Sequence, residues 1–203
     1  MLAVDECGEV VDGDQLMSIC GNYMKQKGTL KKNTIVATVM SNLGMFLMGE
    51  REGIHIEKTK VGDRYVLENM LENGCSIRGE QSGHIIFLDE NTTGDGLLSA
   101  LHLLQVMTET KKKLSELASI MEVLPQALVN AKVPNHKKEH FEEYAEIAEA
   151  IAEVEAKFAG EGRVLIRPSG TEPLVRVMIE GKDQQLIESE AQKLAELISS
   201  IML

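Results

Sequence analysis

In the first half of the chain, apolar residues follow a helical spacing in some segments and form an unbroken run in others. A first group follows helical spacing: Leu16, Ile19, Cys20, Tyr23 and Met24. This spacing predicts a helix that begins near Asp12 and ends near Gly28. The run 34–40 (TIVATVM) is apolar and largely β-branched without alternation. That pattern is typical of a strand covered on both faces of a parallel sheet.

The same alternation continues to about the middle of the chain. The predicted elements are a strand at 2–4 with a turn at 5–9, a short helix at 45–48, a strand at 54–59, a helix after Gly62-Asp63, a strand before Gly79, a strand at 85–88, and two helices after the turn 93–96. Strands that alternate with helices indicate an α/β domain with a mainly parallel, mixed sheet. We assign residues 1–122 to this domain.

The pattern changes at Leu124-Pro125, and residues 123–203 are predicted to form a second, small α+β domain. Its predicted elements are a strand at 127–133, a long helix at 139–158 closed by Gly160, strands at 163–167 and 174–179, and a final amphipathic helix. The apolar stripe of that last helix consists of Leu186, Ile187, Ala191, Leu194, Leu197, Ile198 and Ile201. Its spacing is that of a helix packed by one face against a sheet.

Composition excludes several classes of function. The 203 residues carry 21 Lys and Arg against 32 Asp and Glu, a net charge of −11, with 3% aromatic residues and no Trp. Nucleic acids and anionic membranes attract basic surfaces, so neither is an expected partner. Three cysteines do not form a disulfide framework, and neither a membrane span nor a signal peptide is evident. We therefore expect a cytoplasmic protein.

One arginine-rich segment stands out from this acidic background. Residues 162–176 contain three Arg and one Glu, around the loop 168–171 (Pro-Ser-Gly-Thr) between two apolar strands. We expect the three arginines, including Arg163, to converge on this loop, which favours a phosphate site. Gly170 permits close backbone approach, and the hydroxyls of Ser169 and Thr171 are suitable donors to phosphate. Arg167 and Arg176 are suited to grip the same group with paired donors. The alternative is a hairpin turn with solvated arginines.

A second polar loop, 79–84 (GEQSGH), also separates two apolar strands. If the loop is extended, Glu80, Ser82 and His84 point to one side. A carboxylate, a hydroxyl and an imidazole on one side suit the hydroxyl groups of a sugar. The alternative is a polar strand-to-helix connection in which the backbone satisfies His84.

Other polar groups give weaker signals. Asp12 and Asp14 lie two residues apart and could help to bind Mg²⁺, but a helix cap at Asp12 is favoured. Lys60 and Arg64, around a predicted helix start, either reach a bound phosphate or are solvated. The sequence has no Cys and His spacing for a metal site and no glycine motif for nucleotide phosphates. No metal ligand is therefore assigned in this chain.

Five segments together resemble one family. The motifs GEQSGH (79–84) and RPSGTEP (167–173) resemble those of the α-D-phosphohexomutases, and VDGDQLM (11–17), TVMSNLG (38–44) and KVGDRYV (60–66) are similar to the glucosamine branch. The resemblance implies a four-domain enzyme of which this chain matches the third and fourth domains. It further implies a three-layer α/β/α domain followed by a small domain of the TATA-binding-protein-like fold.

The resemblance also implies roles for the polar loops. Glu80 and Ser82 match the residues that bind sugar hydroxyls, and His84 is a candidate proton carrier nearby. The phosphate-binding residues are matched by Arg167, Ser169, Gly170, Thr171 and Arg176. The family reaction converts glucosamine 6-phosphate to glucosamine 1-phosphate through a bisphosphate intermediate. It uses a phosphoserine and Mg²⁺ held by a DGDxDR loop.

The chain departs from the family in what it lacks. Neither a T-x-S-x-N stretch nor a DGDxDR loop occurs in the 203 residues. Phosphoryl transfer needs both a nucleophile and charge neutralisation. We therefore expect that the chain begins just downstream of the metal loop, is inactive alone and needs the N-terminal half of the same enzyme as its partner. The alternatives are a stand-alone, non-catalytic sugar-phosphate-binding module and a mutase acting on another hexose phosphate.

Overall fold

The computed structural model of the chain describes residues 1–59 and 74–203. These residues divide into two units, Met1–Val123 and Leu124–Leu203. The helix predicted after Gly62-Asp63 lies outside the described residues, as do Lys60 and Arg64.

The first unit begins with a short antiparallel hairpin, β1 (Ala3–Val4) and β2 (Val10–Val11), followed by helix α1 (Gly13–Gln26). Asp12 caps α1: its carboxylate accepts a hydrogen bond from the Gln15 amide at 3.0 Å, and the Gln15 side chain accepts one from the Asp12 amide at 3.2 Å. This reciprocal pair satisfies two amides that the helix leaves unpaired. The predicted cap at Asp12 is confirmed.

The central sheet of the first unit has four strands in the order β4-β3-β5-β6. Its strands are β3 (Thr34–Thr38), β4 (His55–Thr59), β5 (Ile77–Gly79) and β6 (Ile85–Phe87). β3 pairs in parallel with β4 and β5, whereas β6 is antiparallel to β5. All five residues of β3 are buried, as its unbroken apolar pattern predicts. The mixed α/β fold expected for this unit is confirmed.

Three further helices complete the described part of the first unit: α2 (Leu43–Glu52), α3 (Gly96–Thr110) and α4 (Leu114–Ala118). The first is longer than the predicted 45–48, because the Asn42 side chain caps it early by accepting from the Gly44 amide at 3.0 Å. Asn42 is itself fixed, since its backbone amide donates to the buried Asp14 carboxylate at 2.7 Å. The second acidic residue of the Asp12–Asp14 pair thus links α1 to α2.

The N-terminus of α1 contacts the loop between β5 and β6. The Gly13 amide donates to the Gln81 carbonyl at 3.0 Å. A Cβ atom at Gly13 would lie 2.0 Å from the Glu80 carbonyl oxygen and 2.7 Å from the Gly83 nitrogen. Both are backbone atoms, so the contact has no flexible side chain that could move aside. Only glycine fits at residue 13 in this arrangement.

The second unit is built on a three-stranded antiparallel sheet in the order β7-β9-β8. Its strands are β7 (Gln126–Lys132), β8 (Arg163–Pro168) and β9 (Leu174–Glu180), and its helices are α5 (Ala145–Lys157) and α6 (Gln184–Met202). α6 buries Ile187, Ala191 and Ile198 completely in the unit's core. Leu186, which we predicted on the same stripe, is instead 43% exposed. It lies one residue, and so about 100°, away from the buried row.

The helix predicted at 139–158 is interrupted. A 3₁₀ segment (Lys138–Glu143) precedes α5, and Tyr144 between them has extended backbone angles. In a 3₁₀ segment residues three apart eclipse one another, so Lys138 and Phe141 both turn inward and are buried. On α5, Ile147 is fully buried, whereas the neighbouring Ala148 is exposed.

Arg163 does not join the other two arginines of its segment. It is at the first position of β8, where its guanidinium forms an ion pair with Glu180, whose side chain is 0% exposed. Arg167 lies four positions further along the strand than Arg163, which corresponds to about 13 Å. The expectation that three arginines converge on the loop 168–171 is therefore wrong for Arg163, whose role is in the fold.

We expect that Arg163→Met lowers the free energy of unfolding of the second unit by about 3 kcal/mol, because it leaves the buried Glu180 carboxylate without its cation. Urea unfolding, followed by amide resonances of residues 124–203, measures the change. Lys182→Met is the matched control, since Lys182 forms an exposed pair with Glu161 at 3.5 Å. Equal losses in both variants would contradict the structural role of Arg163.

We expect that Gly13→Ala lowers the free energy of unfolding of the first unit by about 1–3 kcal/mol, because its methyl group overlaps the backbone at Glu80. Urea unfolding followed by amide resonances of residues 1–59 and 74–123 measures it. Gly96→Ala is the control. Gly96 is the first residue of α3, and the nearest atom to a methyl group there is 3.8 Å away. A Gly13→Ala variant as stable as Gly96→Ala would contradict the close contact.

Candidate functional site

The loop between β5 and β6 is a tight hairpin turn. The Gly83 amide donates to the Glu80 carbonyl at 2.9 Å, and the Glu80 amide donates to the His84 carbonyl at 3.0 Å. Gly83 has φ +89°, which favours glycine. The loop joins two strands, as predicted, and these strands are antiparallel, so the alternative of a strand-to-helix connection does not apply. The loop is not extended, so the condition under which Glu80, Ser82 and His84 would point to one side is not met. Because Gly79 at the end of β5 is paired with Ile85 at the start of β6, the residues between them must reverse the chain direction in a tight turn.

The turn nevertheless brings two of the three candidate side chains together. The Ser82 hydroxyl donates to the Glu80 carboxylate at 3.4 Å, a long hydrogen bond at an exposed position. His84 is half-buried, and its ring lies over Gly94, where a Cβ atom would be 2.2 Å from the ring carbon Cε1. Ser82 and His84 line a shallow cavity of about 280 Å³ together with Asp95, and Glu80 is outside it.

The phosphate-loop candidates are at the other end of β8 from Arg163. Arg167 is the direct register partner of Arg176 on β9. Like charges opposite one another on neighbouring strands destabilise a sheet unless an anion compensates them. Burial, and then the nearby charge of Arg176, lower the pKa of the Arg167 guanidinium. The sheet therefore concentrates positive charge at this point, as the sequence predicts for Arg167 and Arg176.

Arg176 has one donor engaged and another available. Its Nη2 donates to the Glu172 carboxylate at 3.0 Å. Its Nε atom is buried and has no hydrogen-bond acceptor among the residues that the structure describes. A buried N–H without an acceptor is energetically costly, so this group is suited to an acceptor that binds there.

The loop itself is held by Ser169, whose side chain is buried. The Ser169 amide donates to the Leu174 carbonyl at 2.9 Å, and its hydroxyl oxygen accepts from the Glu172 amide at 3.2 Å. Ser169 thus closes the turn, while Gly170 and Thr171 are exposed at its tip. The sequence analysis named the hydroxyls of Ser169 and Thr171 together as donors, but in the structure the buried Ser169 hydroxyl contributes to closing the turn.

Lys138 is a residue near this loop that the sequence analysis missed. It is 8% exposed, and its Nζ donates to the Ser169 carbonyl and, at 3.2 Å, to the Glu172 carbonyl. A lysine this deeply buried needs such acceptors. The available signal was its spacing, since Lys138 lies three residues before the apolar Phe141 and one residue before the predicted helix 139–158.

Among residues 1–59 and 74–203, no group of three or more His, Cys, Asp or Glu side chains is arranged to hold a metal ion. None of the helices in these ranges is both long and apolar enough to cross a membrane.

Solved structures share the fold. The Aspergillus fumigatus N-acetylphosphoglucosamine mutase, solved in complex with GlcNAc-6P and magnesium, matches with a TM-score of 0.79 at 17% identity, over 100% of this chain and 46% of that one. A putative phosphomannomutase from Thermus thermophilus matches with a TM-score of 0.65 at 23% identity, over 96% and 43% of the two chains. At these identities the likeness establishes the fold.

Sequence relatives are more similar. The phosphoglucosamine mutases of Ruminiclostridium cellulolyticum and Acetivibrio thermocellus are 62% and 64% identical to this chain, each over 198 residues. The alignments cover 98% of the chain and 44% of each relative, so the chain spans less than half the length of these curated relatives.

Both units match domains of one family. Residues 12–124 match the alpha/beta/alpha domain III of phosphoglucomutase/phosphomannomutase, and residues 128–197 match its C-terminal domain. Together the two matches cover nearly all of the chain, and they agree with the family resemblance carried by the GEQSGH and RPSGTEP motifs. The chain belongs to the phosphoglucomutase/phosphomannomutase family.

Proposed function

We propose that this chain supplies the sugar-binding and phosphate-binding parts of an enzyme that interconverts glucosamine 6-phosphate and glucosamine 1-phosphate through a bisphosphate intermediate. The relatives named phosphoglucosamine mutase support the choice of reaction and of the amino sugar. The single observation that carries the proposal is the Arg167–Arg176 pair, two guanidinium groups in direct register on a chain of net charge −11. A phosphate dianion is the ligand that such a pair best accommodates.

In this proposal the phosphate is bound by side chains and backbone together. Arg167 and Arg176 provide charge-assisted donors, and the buried Nε of Arg176 gains the acceptor that the described residues do not provide. Gly170 and Thr171 add an exposed amide and an exposed hydroxyl at the tip of the loop. Successive donors around a turn of this kind form a concave site for an anion.

The sugar is bound, in the same proposal, by the hairpin loop of the first unit. Glu80 accepts from sugar hydroxyls and Ser82 both donates and accepts, and the two side chains lie within 3.4 Å of each other on the exposed side of the turn. His84, beside Ser82 in the small cavity, is suited to orient a hydroxyl or to carry a proton. Discrimination of the amino sugar from other hexoses rests on the relatives.

The chemical step requires groups that these residues do not provide. The 203 residues contain no T-x-S-x-N stretch and no DGDxDR loop, and the described residues hold no cluster suited to Mg²⁺. We propose that the N-terminal half of the same enzyme supplies both the phosphoserine and the metal site. The chain by itself then binds the sugar phosphate without turning it over.

A second candidate function is a stand-alone sugar-phosphate-binding module. The observation that favours it is the same lack of a nucleophile and a metal loop in the 203 residues. Adding the N-terminal half of a related phosphoglucosamine mutase separates the two. Restored conversion of glucosamine 6-phosphate supports the enzyme, and binding that is never accompanied by conversion supports the module. Conversion by the 203 residues alone would contradict both.

We expect that Arg167→Ala weakens the binding of glucosamine 6-phosphate about 10- to 100-fold, because it removes charge-assisted hydrogen bonds to the phosphate. Isothermal titration calorimetry on the 203-residue chain measures the dissociation constant. Glu146→Ala is the control, since Glu146 is exposed on α5. Unchanged affinity in Arg167→Ala, or an equal loss in Glu146→Ala, would overturn the phosphate site.

We expect that Glu172→Gln strengthens the binding of inorganic phosphate about two- to fivefold. The Glu172 carboxylate occupies Nη2 of Arg176 and lies 3.5 Å from the Ser169 hydroxyl, so a phosphate competes with it for the same donors. The exposed ion pair is worth up to about 1 kcal/mol, which sets the size of the gain. Calorimetric titration with Glu161→Gln as the control measures it, and weaker binding in Glu172→Gln would show that the carboxylate assists the site.

A further inference from the structure

Lys138 contacts the phosphate loop from its buried side. The loop residues 169–172 offer two carbonyl groups, those of Ser169 and Glu172, to the same ammonium group. A cation that is 8% exposed loses most of its hydration and is held where these two carbonyls point. The ammonium therefore fixes the first and the last peptide of the loop relative to each other.

The first of these contacts also sets the direction of a neighbouring amide. In a trans peptide the carbonyl and the N–H of the next residue point in opposite directions. The Ser169 carbonyl points to Lys138, so the Gly170 N–H points away from Lys138. Among the described residues the Gly170 N–H has no hydrogen-bond acceptor, and a Cβ atom at Gly170 would meet nothing within 4 Å. Because Gly170 is exposed and its amide has no acceptor among the described residues, we infer that this amide is accessible on the side of the loop away from Lys138.

The positive charges around the loop also favour an anion on its exposed side. Lys138 adds a third cation to Arg167 and Arg176 around a single turn, and the buried position of its ammonium reduces the screening of its field by water. The Glu172 side chain, which is 54% exposed, is the acidic group of the turn itself. An anion above the exposed side of the loop is thus attracted by a cation beneath it.

We propose that Lys138 is a positioning residue of the phosphate loop, which holds the peptide between Ser169 and Gly170 so that the Gly170 N–H donates to a phosphate oxygen. This inference rests on the proposed function of the loop. Lys138 itself does not touch the phosphate. Its effect is exerted through the two carbonyls that it binds.

The neighbouring lysine provides a matched control. Lys137 has the same side chain one residue earlier, and its Nζ donates at 2.9 Å to the carbonyl of Met202 at the end of α6. It therefore binds a backbone carbonyl of the same unit, but at a site unrelated to the loop. A general effect of removing a lysine from this segment appears in both variants, whereas an effect on the loop appears only at Lys138.

The experiment uses the ¹⁵N-labelled 203-residue chain, titrated with inorganic phosphate, as wild type, Lys138→Met, Lys138→Arg and Lys137→Met. We expect the wild-type Gly170 amide proton to move downfield on saturation. Lys138→Met weakens phosphate binding about tenfold, the effect of one lost hydrogen bond of this kind, and abolishes that shift. Lys138→Arg restores part of the phosphate affinity and part of the Gly170 shift, because arginine keeps the charge and can donate to carbonyls. Lys137→Met binds as wild type does.

Two results overturn the inference. In the first, Lys138→Met binds phosphate with wild-type affinity and shows the wild-type Gly170 shift. In the second, Lys137→Met weakens phosphate binding as much as Lys138→Met does. If Lys138→Met does not fold, Lys138→Gln decides by the same two readouts, since its amide can still donate to one carbonyl. Residual dipolar couplings of the Gly170 N–H, measured without phosphate, test the positioning separately. A wild-type chain that binds no phosphate overturns the proposed function, whereas a Gly170 orientation that is the same in wild type and Lys138→Met overturns the role of Lys138.

Discussion

The antiparallel pairing of β8 with β9 places Arg167 directly opposite Arg176, and the candidate phosphate site of the second unit depends on this register. β9 is hydrogen-bonded on both sides, by β7 and by β8, so its register has no freedom to separate the two charges. The hairpin loop must then begin and end beside them. The fold therefore holds two like charges next to each other, and an anion that binds beside them would relieve their repulsion.

Each candidate loop is a short hairpin turn supported from behind by a residue far away in sequence. The loop 80–83 is held by Gly13, at the start of α1, and the loop 169–172 is held by Lys138. In both cases the support contacts the backbone and leaves the exposed side of the loop available. Such support fixes the direction of the donors before a ligand arrives, which reduces the entropy lost on binding.

The sequence was sufficient to predict the elements that depend on local pattern. The buried strand β3, the cap at Asp12 and the positions of Arg167 and Arg176 on the two strands beside the loop 168–171 all follow from residue type and spacing. The direct register of the two arginines does not, because it depends on how the strands pair. What it missed depends on contacts between distant segments. The ion pair of Arg163 with Glu180 and the burial of Lys138 are set by the sheet register and by a break at Tyr144, which no periodicity shows. The family motifs identified the loops but not the residues that support them.

The most direct test of this account is the ¹H–¹⁵N signal of the Arg176 Nε–H group, recorded as glucosamine 6-phosphate is added to the chain. Among the described residues this buried donor has no acceptor, so it reports on whether the phosphate binds between the two guanidinium groups. The account predicts a downfield shift and slower exchange with water at saturation. A signal that stays unchanged while the ligand binds elsewhere on the chain, or the absence of any binding, would contradict it.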